Sequence, residues 1–427
     1  MALRVRFLKT LKLESIRMPR LVRPVHRMSR SLTSLPLTGK KRIMSFAATC
    51  HFCHHEFLVK AKGRRSLPRV TSDCRPAART GSLVVCPSCC LTQTVVDDDW
   101  RRAAEQAYRE YAIYEASGGA EQKVASDAGL QSRSKVIVDH LAQRHTLGAL
   151  GRLLDFGCGN GGFLQAFTER FPGWQLDGAE TDRRHLAALQ KVPRFERLHG
   201  VGISDLPGGY DAISMVHVLE HIEDPAKALV ALLGKANKDA LLFVEVPAWR
   251  RNPFALMIVD HASHFTAATL QMVVNNSGWR AETAQEDWVP KELSLVASNG
   301  GDGAVTADRL DYLNEKEALQ SAVDWLVDVM AAAQSISSGS VNFGLFGSAI
   351  AATWLYQGMS DRVRFFVDED GQRVGRTHLG RPILAPNQVP ADADIFVGLS
   401  PTISKCLLER LRAGPGRYHA SCIETAP

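Results

Sequence analysis

The spacing of apolar positions changes character several times along the chain. From Gly151 to about Asn299, short apolar runs such as the one ending at Leu153-Leu154 alternate with stretches of helical periodicity. That alternation predicts strands joined by helices, and so a parallel α/β sheet. "GGDG" at 300–303 reads as a linker. It leads into a long helix pattern, "ADRLDYLNEKEALQSAVDWLVDVMAAAQSI", and then a second, smaller α/β unit from about Val341. Upstream, residues 46 to about 100 carry only short β-like runs, "SLVVC" and "LTQTVV". Between Asp99 and about His145 the pattern reads as helical, broken by "SGG" at 117–119. No short-period repeat occurs.

Composition sharpens this division. At 427 residues the chain is too long for one compact core. Its 45% hydrophobic and 22% charged residues are those of a soluble globular protein. No run reaches the roughly 18 to 20 apolar residues of a membrane span, so a cytoplasmic protein without a membrane partner is expected. The net charge of +6 is unevenly placed: residues 1–43 hold twelve Lys or Arg against Glu14 alone, leaving 39 basic and 44 acidic residues behind them. A mildly acidic body argues against a nucleic-acid groove. The basic leader lacks the apolar core of a secretory signal. Three readings of it stay open: a mis-chosen start codon with Met44 as the true first residue, a disordered tail, or a targeting segment. In each it is too polar to fold alone.

Two CxxC pairs, Cys50/Cys53 and Cys86/Cys89, carry the first chemical signal. Each turns two thiolates toward one point, and four such sulfurs make a closed tetrahedral Zn²⁺ site of structural character. The gap between the pairs is longer than usual, so the intervening Gly, Pro and Arg residues are expected to form a loop. Disulfides or unrelated buried thiols are the other readings, the former disfavoured without a secretory signal.

"RLLDFGCGNGGFLQAF" carries the strongest signal. Leu153 and Leu154 belong to a buried strand, Asp155, Gly157, Gly159 and Gly161 form the turn, and "FLQAF" opens a helix. Glycines let a ligand approach the backbone, and a helix N-terminus offers free N–H groups. The Asp-x-Gly-x-Gly-x-Gly spacing resembles motif I of the class I S-adenosylmethionine-dependent methyltransferases. The resemblance extends to "WQLDGAETD", where Glu180 takes the place of the acid that holds the ribose hydroxyls. It continues through "GVGISDLPGGYDAISMVHVLEHIEDP", where Ser204 and Asp205 fall near the adenine edge and His217 near the transferred methyl group.

"MVHVLEHI" lacks the (Asn/Asp)-Pro-Pro-aromatic pattern that receives the amine of a nucleic-acid base. The order of segments instead resembles the zinc-containing sugar C-methyltransferases, which act on nucleotide-linked keto-deoxysugars. "VVCPSCCLTQ" is similar to that family's C-x-x-C-G-L-x-Q, with Cys90 in the glycine position. "YREYAIYEASGGAEQ" is similar to its tyrosine-rich segment, and "VNFGLFGSAIAATWL" to the glycine turn of its C-terminal Rossmann-like domain. The likeness covers about residues 50 to 427. It implies an α/β fold with a central class I methyltransferase sheet, a small N-terminal zinc-ribbon-like module and a second C-terminal α/β domain. The expected divisions are a leader at 1–43, the zinc module at 46–110, the methyltransferase domain with its helical lead-in at 111–299, and the C-terminal helix and domain at 304–427.

Methylating a carbon beside a ketone requires a base to form the enolate, and a histidine titrates in the right range. In "IVDHASHFT" the resemblance places an acid/base Glu-His pair on Asp260-His261, with Glu shortened to Asp and the usual preceding tyrosine replaced by Ile258. The neighbouring "HFT" also fits a loop and N-cap leading into a late helix, with Thr266 as the cap. His264 is thus either a substrate contact or architecture. Glu220 and His221 read chiefly as structural, and Tyr111 and Tyr114 as substrate contacts reaching in from the helical segment. The expected activity is C-methylation of a nucleotide-linked keto-deoxysugar. O-methylation of a small metabolite or glycan is the alternative, and a non-catalytic binding protein on the same fold the remote one.

Overall fold

The computed structural model describes residues 45–60, 67–111, 123–126, 129–300 and 310–421. The basic leader and Tyr114 lie outside them. The central sheet holds β1 (Gly151–Phe156), β2 (Trp174–Ala179), β3 (Phe195–His199), β4 (Tyr210–Val216), β5 (Ala236–Pro247), β6 (Arg280–Ala281) and β7 (Glu292–Ser298). They lie in the spatial order β3-β2-β1-β4-β5-β7-β6. β1 to β5 run parallel and β7 antiparallel to β5. The chain reverses direction across the sheet between β1 and β4. In an open α/β sheet that switch point opens a crevice at the carboxyl ends of the strands.

Both faces of this sheet are covered because its strands carry apolar residues on both sides. Leu153, Leu176 and Phe243 pack with Val136, Ile137, Leu164 and Phe167 from the helices Arg133–Arg144 and Gly162–Arg170. Leu154, Met215, Leu242 and Val244 pack with Leu229, Leu232, Leu270 and Val273 from the helices Pro225–Leu233 and Ala267–Asn276. Neighbouring residues on one strand therefore serve opposite cores, as the period of two requires.

The cysteine segment is wedged against this domain. Cys50, Cys86, Cys89 and Leu91 join the core beneath β1 and β4. "SLVVC" and "LTQTVV" do form strands, Leu83–Val85 and Thr92–Thr94, and the second pairs with Ser263–His264 to make a three-stranded sheet. The expected loop between the CxxC pairs also contains a short hairpin, Arg69–Val70 with Pro76–Ala77. The helix expected from Asp99 exists as Asp98–Arg109, but the strands Lys123–Ser126 and Gly129–Ser132 pair antiparallel before the helix Arg133–Arg144. Gly129, Ser126 and Ser132 are poor helix-interior residues, and Ser132 instead caps the following helix.

The long pattern after the linker is the helix Tyr312–Gly339, started by Asp311, whose carboxylate accepts from the N–H groups of Leu313 and Asn314. Its buried face, including Ala322, Trp325, Leu326 and Val329, packs with Phe254 and Trp354 and with Leu83 and Val85 of the cysteine segment. A six-stranded sheet follows, its central members Phe343–Phe346, Val363–Val367 and Asp394–Val397 parallel. The helix that follows the first of these strands is Ile350–Tyr356. Among the described residues no helix is long and apolar enough to cross a membrane.

Candidate active site

The turn after β1 is built for close approach. Gly157, Gly159 and Gly161 hold φ of +85°, +50° and +89°, which glycine adopts without strain. Asp155 is the fifth residue of β1, buried, and accepts a hydrogen bond from Ser214 Oγ at 2.8 Å. Glu180 follows β2 directly. Its Oε2 accepts from the Gly159 N–H at 3.2 Å, and its Oε1 from Thr181 N–H and Oγ and from Asp182 N–H. The carboxylate is thus aimed across the glycine turn, where it can meet a pair of ribose hydroxyls. Ser204 and Asp205 sit exposed in the single turn Ile203–Asp205, with the Ser204 hydroxyl 3.2 Å from Asp205 Oδ1.

A second cluster stands beside this turn. A Cβ placed on Gly157 would fall 2.3 Å from Val218 Cγ2, and Val218 leads into the turn Leu219–His221. Glu220 and His221 are brought against His261: one carboxylate oxygen and one ring nitrogen of each histidine lie within 4.8 Å of one another. The backbone enforces the meeting. Ala262 N–H donates to Glu220 O at 2.8 Å, and Ala262 O accepts from Thr94 N–H at 2.9 Å. His261 is 3% exposed and packs edge-to-face on His221, ring centroids 4.7 Å apart. Burial, with the imidazoles of His221, His264 and His217 close by, holds His261 well below the ordinary histidine range, so it is a neutral imidazole.

The carboxylate of Asp260 is engaged elsewhere. It accepts from Ser72 N–H at 2.9 Å and from Ser72 Oγ at 2.5 Å, and it stands 3.5 Å from His221 Nδ1. His221 Nδ1 lies 2.9 Å from the Asp260 carbonyl. A carbonyl can only accept, so Nδ1 carries a proton. The expected Asp260–His261 pairing is therefore made with His221, because Ser72 and the 260 carbonyl draw Asp260 to that side. His261 meets it only through the second ring.

His217 sits just past β4 with φ +53°. Its Nδ1 is 3.3 Å from Glu220, and its Nε2 is 3.6 and 3.7 Å from Glu245 and Glu292. Burial opposes charge on this ring, but the three carboxylates outweigh it and push His217 up to about 10, making it an imidazolium. Burial in turn lifts Glu292 to about 7, against the pull of His217. The site thus holds one neutral and one cationic histidine, set apart by their surroundings.

The four predicted cysteine ligands converge. Cys50 and Cys89 Sγ are 3.4 Å apart and Cys53 and Cys86 Sγ 3.6 Å. A tetrahedron with bonds of about 2.3 Å has edges of about 3.8 Å, so the set fits a zinc ion. The N–H groups of Phe52 and Ser88 point at Cys50 and Cys86 Sγ, which favours thiolates there. Cys74 and Cys90 stand outside the group.

Residues 130–284 match the protein family described as "Methyltransferase domain". The centre of this chain is thus similar to a methyltransferase domain. Ubiquinone biosynthesis O-methyltransferase of Xylella fastidiosa is 29% identical over 148 residues, covering 30% of this chain and 55% of that protein. The enzyme of the same description from Idiomarina loihiensis is 33% identical over 109 residues, 22% of this chain and 42% of that protein. The chain therefore spans about half the length of these curated relatives. Among solved structures it is similar to the mitomycin 7-O-methyltransferase MmcR, with TM-score 0.34 and 18% identity, over 39% of this chain and 53% of that one.

Within residues 130–284 the glycine turn, Glu180 and His217 stand at the carboxyl ends of β1, β2 and β4. His264 is drawn away from it: buried in the three-stranded sheet, its Nε2 lies 3.1 Å from Thr94 Oγ. Burial, with Arg69 and His51 nearby, lowers it to about 3. Thr266 is the N-cap, and it exchanges hydrogen bonds with Thr269 in a capping box. Tyr111 touches the neighbourhood through its backbone, accepting from Arg184 at 2.7 Å. Tyr108 is the tyrosine that packs on His221, ring centroids 5.9 Å apart. It lies one position past the buried stripe Trp100, Ala104, Ala107 of its helix, a spacing legible in advance. Ser72 and Glu292 carried no such signal.

Proposed function

We propose that this methyltransferase domain transfers a methyl group from S-adenosylmethionine to a carbon beside the ketone of a nucleotide-linked deoxysugar. The observation that carries the reading is His261, buried against His221 and Glu220 of the turn that follows Val218, the residue in contact with Gly157. S-adenosylmethionine, when bound, supplies a methyl group on a sulfonium for in-line displacement. The chain supplies the rest. The glycine turn and Glu180 hold the donor, Asp155 through Ser214 fixes the strand end, and the crevice aligns the acceptor. His261 takes the proton from the acceptor carbon, whose electron pair then forms the new carbon–carbon bond as the carbon–sulfur bond breaks. His221, packed edge-to-face on it, supports the ring of His261. His217, already cationic, offsets negative charge developing on the ketone oxygen. The four cysteines are read as a structural Zn²⁺ site that keeps the strand Thr92–Thr94, and with it the His261 loop, in place.

The test is exchange of the acceptor's α-hydrogen with D₂O, using a nucleotide-linked 4-keto-deoxysugar. Wash-out by the wild-type chain, lost in His261→Ala, is expected. Methyl transfer without exchange, giving a methyl ether, would contradict carbon chemistry. That outcome is the second reading, O-methylation, which the described activity of both curated relatives favours.

A further inference from the structure

The segment Pro68–Arg75, between the two CxxC pairs, is held from both sides. On one side it lies along the His261 loop: Val70 bridges Ile258, Val259 N–H donates to Val70 O at 2.7 Å, and the Arg69 guanidinium donates to Leu256 O. On the other side the C-terminal domain grips it. Trp354 Nε1 donates to Pro68 O at 2.9 Å, Gln357 Nε2 to Arg69 O at 2.9 Å, and Thr353 Oγ to Cys74 O at 3.1 Å. Ser72 is the point where this segment reaches the candidate active site. Its N–H and its hydroxyl hold one oxygen each of the buried Asp260 carboxylate.

We propose that Ser72 is a positioning residue of the acceptor site, fixing Asp260 and through it the ring of His221 against which His261 packs. The hydroxyl donates to Oδ2, the same oxygen that stands 3.5 Å from His221 Nδ1. While Ser72 satisfies Oδ2, His221 Nδ1–H keeps donating to the Asp260 carbonyl at 2.9 Å. Without that hydroxyl, a buried carboxylate oxygen loses its donor, and leaving it unmet is costly. The nearest replacement is His221 Nδ1. Turning toward Oδ2 would carry the ring out of its edge-to-face contact with His261. Three parts of the chain thus meet around one side chain: the cysteine segment supplies it, the C-terminal segment holds the backbone on either side of it, and the Asp260 carboxylate receives it. The consequence for turnover rests on the reading of His261 and His221 as the proton-handling pair.

The experiment is the imidazole ¹⁵N–¹H spectrum of the full chain, free of substrate, for the wild type, Ser72→Ala and Ser72→Thr. The wild type is expected to show His221 as a single Nδ1–H tautomer. In Ser72→Ala the His221 and His261 signals should shift or average, and in Ser72→Thr they should return, with S-adenosylmethionine affinity unchanged in all three. With a nucleotide-linked 4-keto-deoxysugar, kcat should fall about tenfold to a hundredfold in Ser72→Ala at constant KM for the methyl donor, and Thr should restore it. Unchanged histidine signals in Ser72→Ala, or a folded Ser72→Thr that does not restore them, would overturn the proposal. If no variant turns over the ketosugar, the proposed function fails, while the spectrum still decides the role of Ser72.

Discussion

Gly157 has no room for a side chain: its φ is +85°, and an added Cβ would stand 2.3 Å from Val218 Cγ2. Gly157→Ala must therefore move either the donor turn or the segment leading to Glu220. We expect it to weaken S-adenosylmethionine binding at least about tenfold, measured by calorimetry, through displacement of the turn. His217 makes the opposite kind of prediction, because removing it leaves charge behind. Glu220, Glu245 and Glu292 converge on its ring, so His217→Phe should destabilise the fold by about 3 kcal/mol in urea unfolding near neutral pH. At this scale the sequence was readable wherever a motif fixes backbone geometry. Asp155, the three glycines and Glu180 all stand where their spacing implies. Cys90 has φ +64°, a left-handed conformation that glycine adopts more readily. The partners of Asp260 were not readable, because Ser72 lies 188 residues away in the chain and no local pattern links the two.

Among the elements, the short strand Thr92–Thr94 joins the cysteine site to the His261 loop. It follows Cys89 and Cys90 closely, and it pairs with Ser263–His264 through Gln93 and Thr92. Cys86→Ser is expected to lose one metal ion per chain by elemental analysis and to lower the thermal midpoint. It should abolish methyl transfer while S-adenosylmethionine binding survives, since no donor-binding residue lies in that sheet. The strands themselves were legible from their β-branched runs, whereas their pairing with residues 263–264 was not, since register over such a separation is set by tertiary packing. The same limit explains the paired strands Lys123–Ser126 and Gly129–Ser132, where weak helix formers left local propensity undecided.

Across the whole molecule, buried histidines set the dependence of stability on pH. Burial lowers His264 to about 3 and His378 to about 4, and holds His261 well below the ordinary value near 6.5. Below about pH 6.5 the unfolded chain binds protons that these rings refuse, so stability falls as pH drops from there toward their folded values. His217, raised to about 10, acts in the opposite sense: its contribution is complete below the unfolded value and is lost as pH rises toward 10. Thermal midpoints measured across this range should peak near neutrality, and His217→Phe should flatten the alkaline side alone. The order of units along the chain could be read from changes in apolar spacing. Their interlocking at residues 68–75 could not, since it depends on three distant segments arriving together.

We propose that the glycine turn and Glu180 hold S-adenosylmethionine. The most direct test of this claim is titration calorimetry of the full chain with S-adenosylmethionine. One site per chain is expected, weakened at least about tenfold in Glu180→Ala, whose carboxylate would otherwise accept both ribose hydroxyls. A wild-type chain that gives no binding heat and no protection against thermal unfolding would contradict the claim.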